Sequence, residues 1–288
     1  MVSGCTRAVP GEPVPPSVPA NLALVDLAAT NDVLTASKTA VEGVFSFDPA
    51  NPGAQADAAA KHLTGAARTQ VEERLGEVRQ TGAKVTTVAR EAAVAELTPG
   101  SAKVLVLLDQ TSTRTDPVQS SSGGAALLVT AQREGGKWLA NDIVASPTLA
   151  PVPASPGGPV AEARDSALAA ARTGLEAFMR VDSNDLDGWI DRQLAVAAEP
   201  LLSQIRAGAQ NTVDAVRTQG TTVTVAPDMA IAAKSAAPDL VTGLAVAKTT
   251  VTNPGTQPTE RVLRITFEMT RQPDGWKLRA LSNLPVTG

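Results

Sequence analysis

Few side chains in this chain could do covalent chemistry, and their spacing narrows the choice further. There is one cysteine, Cys5, one histidine, His62, and no tyrosine. His62 sits in the helix-patterned stretch Gln55 to Leu63 with no second histidine, cysteine or serine-rich elbow beside it. A nucleophile and its base must lie within hydrogen-bond reach, so a dyad here would have to recruit distant carboxylates. A structural histidine is the plainer expectation. A structural zinc site takes about four Cys or His ligands, which one of each cannot supply. No metal or other cofactor is expected. The segment Ser183-Asn184-Asp185-Leu186-Asp187-Gly188-Trp189-Ile190 spaces its acids and glycine in the manner of a calcium loop. Its twelfth position is Leu194, where such a loop needs a bidentate glutamate. An acidic first turn of a helix, favoured by the helix dipole, accounts for the same residues.

A single cysteine forms no disulfide within the chain and needs another explanation. Met1-Val2-Ser3-Gly4-Cys5 places an aliphatic residue and two small residues before it. That pattern resembles the end of a bacterial lipoprotein signal, which makes Cys5 the candidate lipidation site.

The elements that would position any site are those of an ordinary globular chain. Of its 288 residues, 43% are hydrophobic and 19% charged, which is ample for a buried core. A net charge of −4 lacks the basic face that a nucleic-acid partner requires. The longest aliphatic run, Val104-Leu105-Val106-Leu107-Leu108, is far short of the ~20 residues of a membrane-crossing helix.

Two proline-rich stretches divide the chain. Residues 1–20 read as a lipobox-like N-terminus and semi-rigid stalk, and 147–160 as a linker. The linker offers little to bury, so the domains at 21–146 and 161–288 are expected to fold separately.

The two domains repeat one pattern. Leu27, Leu34, Val41 and Phe45 fall on one helical face in the first, and Leu168, Ala171, Leu175 and Phe178 in the second. A later helix carries Ala67, Val71, Leu75 and Val78, matched by Leu202, Ile205, Ala209 and Val216. Both helical parts break at glycine, at Gln80-Thr81-Gly82 and Thr218-Gln219-Gly220. β-branched strands follow, the clearest being Leu263, Ile265, Phe267 and Met269 alternating with polar residues. That alternation predicts one buried and one wet face. Glu134-Gly135-Gly136-Lys137-Trp138 and Pro273-Asp274-Gly275-Trp276-Lys277 both read as tight hairpins. The expected fold is α+β, with each domain made of three helices followed by a four-stranded antiparallel sheet. Trp138 and Trp276 should point into the concave face, where large aromatics usually pack. With Phe45 and Phe178 they are the candidate pocket or core residues, and Trp189 reads as a helix-packing anchor.

Asn21-Leu22-Ala23-Leu24-Val25-Asp26, Val44-Phe45-Ser46-Phe47-Asp48, His62-Leu63-Thr64-Gly65 and Leu107-Leu108-Asp109-Gln110-Thr111 together resemble Mce-associated proteins. These are actinobacterial accessory proteins of the mammalian-cell-entry lipid-transport systems. The second domain resembles a more distant member through Asp182, Leu186-Asp187-Gly188-Trp189 and Asp274-Gly275-Trp276-Lys277. It departs at Glu199-Pro200, where the family has a Thr-Gly turn, and at Lys248-Thr249-Thr250, where the family has Asp-Gln-Thr.

The resemblance implies tandem cone-shaped domains similar to nuclear transport factor two. It also implies a non-enzymatic, exported accessory protein at the outer face of the plasma membrane or in the cell wall. Its partners would be Mce-type transporter subunits, the membrane through the N-terminal lipid, and a lipid or steroid ligand. Lipid on Cys5 would replace the transmembrane helix usual in the family. One alternative is an enzyme of the ketosteroid-isomerase type, whose oxyanion donors include a tyrosine that this chain lacks. The other is a passive envelope scaffold.

Overall fold

The computed structural model describes residues 20–80, 82–115, 118–151 and 157–286. Cys5, the stalk up to Pro19, Thr81 of the first glycine break and the middle of the linker lie outside them. In the first half come helices α1 (Leu27–Phe45), α2 (Gly53–His62) and α3 (Gly65–Gln80). Strands β1 (Lys84–Leu97), β2 (Ser101–Thr115), β3 (Val118–Glu134) and β4 (Lys137–Ala145) follow. The second half has α4 (Pro159–Met179), α5 (Leu186–Val196) and α6 (Leu201–Gln219). Its strands are β5 (Thr222–Val225), β6 (Ala230–Ala236), β7 (Leu240–Thr252), β8 (Thr259–Gln272) and β9 (Gly275–Asn283). The class is α+β.

Local chemistry sets the boundaries. Asp26 and Asp185 are N-caps whose carboxylates accept from the backbone N–H of Ala29 and Gly188. α6 stops at Gly220, whose φ of 61° is left-handed and suits glycine. Gly135 and Gly136, at φ 55° and 81°, close the β3–β4 hairpin.

The strands form one nine-stranded antiparallel sheet, in the order β4-β3-β2-β1-β6-β7-β8-β9 with β5 on β7. This corrects the expectation of two separate four-stranded sheets in two respects. First, β1 and β6 meet edge to edge at Val94 and Ala233, which makes the sheet continuous. Second, the strand that runs unbroken as β1 is split into β5 and β6 around Pro227, which has no N–H to give a ladder.

The repetition reaches the irregularities of the ladder. Val94/Glu96 is a register shift against β2, and Ala233/Ser235 is its counterpart against β7. Thr130/Ala131 and Glu268/Met269 are likewise matched shifts before the last strand. The isolated bridges Phe47–Val85 and Leu63–Ala140 recur as Val181–Val223 and Ala197–Leu278.

Helices cover one face of each half of the sheet. Val33, Val41 and Val44 of α1 meet Val104, Val106 and Leu108, while Ala167, Ala171 and Leu175 of α4 meet Ile265, Phe267 and Met269. The opposite faces turn toward each other. Leu105, Leu107 and Leu128 from the first half join Leu244 and Val246 from the second in a shared apolar layer. Leu149, within the proline-rich linker, is buried in that layer too, so the linker does more than span a gap.

The predicted face of α1 is rotated from the one that is buried. Leu27 is 61% exposed, whereas Thr30, Val33, Ser37, Ala40, Val41 and Val44 are buried. The small Ser37 and Ala40 let the helix lie close on the sheet, which a stripe of leucines would not. Ala67 and Val71 of α3 are buried, and the side chains of Leu75 and Val78 lie outside the described set. No helix among the described residues is long and apolar enough to cross a membrane.

Candidate functional site

The first half holds a cavity of about 560 Å³ between its helices and its sheet. Val44 and Phe45 of α1, Val71 of α3, and Leu108 and Leu127 of the sheet give it apolar walls. Gln110, Ser112, Ser121 and Ser122 add neutral polar groups, and no ionisable side chain lines it among the described residues. Volume and lining both fall in the range of small-molecule sites.

Hydrogen bonds hold this wall in place. Thr87 Oγ1 donates to the Phe45 carbonyl at 2.7 Å, and Gln110 Nε2 donates to Thr87 Oγ1 at 3.1 Å. Gln55 Nε2 donates to the Val44 carbonyl at 2.7 Å, which fixes the orientation of that amide. Its Oε1 is buried and receives no donor among the described residues. A buried acceptor without a donor is costly.

The motif Asp109-Gln110 splits across the sheet because successive strand residues face opposite ways. Gln110 serves the cavity wall. Asp109 faces the other half, where Arg264 Nη1 donates to its Oδ1 at 2.8 Å and to the Leu108 carbonyl at 2.6 Å. Arg264 Nη2 also reaches the Leu284 carbonyl at 3.1 Å. The guanidinium lies so close over Gly124 that a Cβ there would stand 2.3 Å from its Cζ. Thus β8, predicted to have one wet face, carries a buried arginine on it.

A second buried arginine, Arg164 of α4, donates to the carbonyls of Asn21 and Ala23 and to Asp165 Oδ1. Asn21 in turn bonds Ala95 and Leu97 of β1. The motif Asn21 to Asp26 therefore works as a strap between the halves.

The aromatic candidates are placed apart. Phe45 lines the cavity, while Phe178 is half-buried against the core of the second half. Trp138 is 8% exposed in the first core, and Trp276 is half-buried with its Nε1 donating to Ser166 Oγ at 2.9 Å. Arg133 and Arg271 lie over the two indoles at 5.8 and 5.9 Å. Trp189 packs with Val181, Leu186, Val213 and Val223.

His62 is half-buried at the end of α2, and desolvation, aided by Lys61, holds its pKa below the usual imidazole value. Asp185, in the segment that resembles a calcium loop, caps α5 and pairs with Arg192 at 2.9 Å. That pairing lowers its pKa, with a smaller contribution from the Gly188 N–H. No cluster of three or more metal-ligating side chains occurs among the described residues.

Sequence reasoning missed Gln55, Arg164 and Arg264. Gln55 was within reach through the repeat, because it precedes Leu63 by the same interval as Trp189 precedes Ala197.

No family model matches the chain, and no curated protein matches it. Solved structures with some likeness include an IcmL-like type IV secretion system protein from Legionella pneumophila. It is 13% identical over 43% of this chain and 96% of its own, with a TM-score of 0.36. An Ntf2-like protein involved in plasmid conjugation is 11% identical over 88% of this chain and 96% of its own, with a TM-score of 0.30. The VirB8 protein of Agrobacterium tumefaciens is 12% identical over 42% and 92%, with a TM-score of 0.32. None of these three is described as a Mce-associated protein.

Proposed function

We propose that this chain is a non-enzymatic accessory protein of the cell envelope, serving a Mce-type lipid-transport system. It acts through protein contacts and through an apolar ligand held in the first half, and lipid on Cys5 tethers it to the membrane. The observation that carries the non-enzymatic part is the cavity. Among the described residues its walls offer neutral amides and hydroxyls and no ionisable group, so no described side chain of the wall can shuttle a proton near neutral pH. An isomerase of the ketosteroid type needs an acidic base and a tyrosine donor, and the chain has no tyrosine. The link to Mce-type transport rests on the motifs of the sequence. Two of them, Asn21 to Asp26 and Asp109-Gln110, act here as the interdomain strap, the buried ion pair and the cavity wall.

The test is expression of the tagged full chain in its native host, with Cys5 intact or changed to serine. Mce-type transporter subunits should co-purify with the intact protein, and Cys5→Ser should move it out of the membrane fraction. Purification without such subunits, or an unchanged membrane fraction for Cys5→Ser, would count against the corresponding half of the proposal.

A further inference from the structure

The halves meet as two copies of one protein would meet in a symmetric dimer. Matched register shifts make Val94 and Ala233 counterparts, and these same two residues form the bridge between β1 and β6. A position paired with its own counterpart marks a two-fold axis, and the contact around such an axis is isologous. The shared apolar layer keeps that symmetry. Ala93 and Ala232, Leu105 and Leu244, and Leu107 and Val246 enter it as matched pairs. The charges break it. Asp109 of β2 pairs with Arg264 of β8 at 2.8 Å, but their counterparts are Lys248 and Ala126. Glu91 of β1 pairs with Lys234 of β6 at 2.7 Å, and there the counterparts are Ala230 and Ala95. Both acids belong to the first half and both bases to the second. Shape is one-sided too. The Arg264 guanidinium lies over Gly124, where a Cβ would stand 2.3 Å from its Cζ, and the counterpart of Gly124 is Val262.

We infer that the face each half turns toward the other is a docking surface specific for the unlike half, so that the chain is a fused heterodimer guarded against pairing like with like. In a pair of first halves, Asp109 would face Ala126 in place of Arg264, and Glu91 would face Ala95 in place of Lys234. Arg90, on the same half as Asp109, stands 3.9 Å away and is 37% exposed, so it compensates less than the buried guanidinium does. A buried carboxylate stripped of its main partner disfavours that pair. In a pair of second halves, Arg264 would meet Lys248 where Asp109 now stands, and the Val262 side chain where Gly124 now leaves room. Like charge and overlap both reject that pair. Only the unlike pair supplies a partner to both acids and both bases. The inference is independent of any ligand and of the transporter link.

The experiment uses the full chain with Cys5→Ser and a protease site inserted in the linker after Ser155. The folded protein is cut there, unfolded in urea and refolded by dilution, and native mass spectrometry counts the pairs. First-with-second pairs should dominate. Like pairs should stay below about 5% of the total, where random pairing would give about half, because unpaired buried charge and like charge both disfavour the wrong partner. Like pairs near the random share, or halves that separate as monomers, would overturn the inference.

The triple variant Ala126→Arg, Lys248→Asp, Val262→Gly makes the two faces alike, giving each half an acid, an arginine and a glycine at matched positions. Cut and refolded, it should form like pairs at least about fivefold more often than the parent. An unchanged share would overturn the inference, since charge and shape would then not be what selects the partner. A second measurement needs no cutting. In the intact chain, Ala126→Arg sets an arginine against Lys248 and Val262 and should lower the urea midpoint. Adding Lys248→Asp and Val262→Gly should recover at least about half of that loss, because a second buried ion pair can then form. A triple variant no more stable than Ala126→Arg alone, or an Ala126→Arg chain that unfolds at the midpoint of the parent, would also overturn the inference.

Discussion

The two halves of the molecule use one scaffold for different ends. In the first, Gln55 leaves a cavity of about 560 Å³ behind Phe45 and Val85. In the second, Trp189 closes the corresponding space with Val181, Val213 and Val223. The ladders around both sites share their register shifts and bridges. The matched positions around the two spaces differ at several side chains, Gln55 against Trp189 and Ala125 against Leu263 among them. The comparison extends to the motif on the second strand of each half. Asp109 is paired with Arg264 across the interface, whereas its counterpart Lys248 is exposed. Only one of the two copies contributes the buried carboxylate.

The hardest test of this comparison is to separate the halves. Expressed apart as residues 20–147 and 157–288, they would expose Leu105, Leu107, Leu128, Leu244 and Val246. Because that layer is shared and takes in Leu149 of the linker, the separate folding expected from the linker's composition is revised: neither fragment should be folded and monomeric alone, and mixing should restore a native-like circular dichroism spectrum. Two stable monomeric fragments would show that the shared layer is dispensable.

Asp109→Ala removes one partner of a buried pair and leaves Arg264 uncompensated. It should lower stability by about 3–5 kcal/mol in urea denaturation. Lys248→Ala, the matched change in the second half, should be nearly silent.

Trp189→Ala should cost about 3–5 kcal/mol, as large-to-small changes of buried aromatics do. Gln55→Ala at the matched position should cost far less, because its wall already borders open space and the change removes an unpaired acceptor. Equal losses would end the distinction between the filled and the open half.

The smallest effect concerns pH. His62 titrates below its ordinary value in the folded protein, so the unfolded chain takes up the proton first as pH falls. Stability from this residue is complete above about pH 6.5 and declines below it. His62→Gln should flatten the slope of melting temperature between about pH 6.5 and 5. The matched position in the second half is Val196, which contributes no such slope.

Much of the fold was legible because it is local. Asp26 and Asp185 announce helix starts, and Gly220 and the Gly135-Gly136 pair announce a stop and a turn. Ile265, Phe267 and Met269 announce a buried strand face, and all three are in the core. The site was legible only in part. Phe45 was a candidate from helical spacing alone, whereas Gln55 reads as an ordinary polar helix residue until the two copies are superposed.

The sequence by itself determined the element types and order and the duplication, because capping, turns and side-chain periodicity act within a few residues. Only the tertiary structure decided which faces meet. Arg264 finds Asp109 across 155 positions, and Arg164 finds the Asn21 carbonyl across 143. Such charges read as solvated in one dimension, and they are buried only because a distant segment supplies the partner that burial requires. The joining of β1 to β6 and the apolar layer behind them were decided in the same way. An alternating strand shows that it has two faces but carries no mark of what will cover the second.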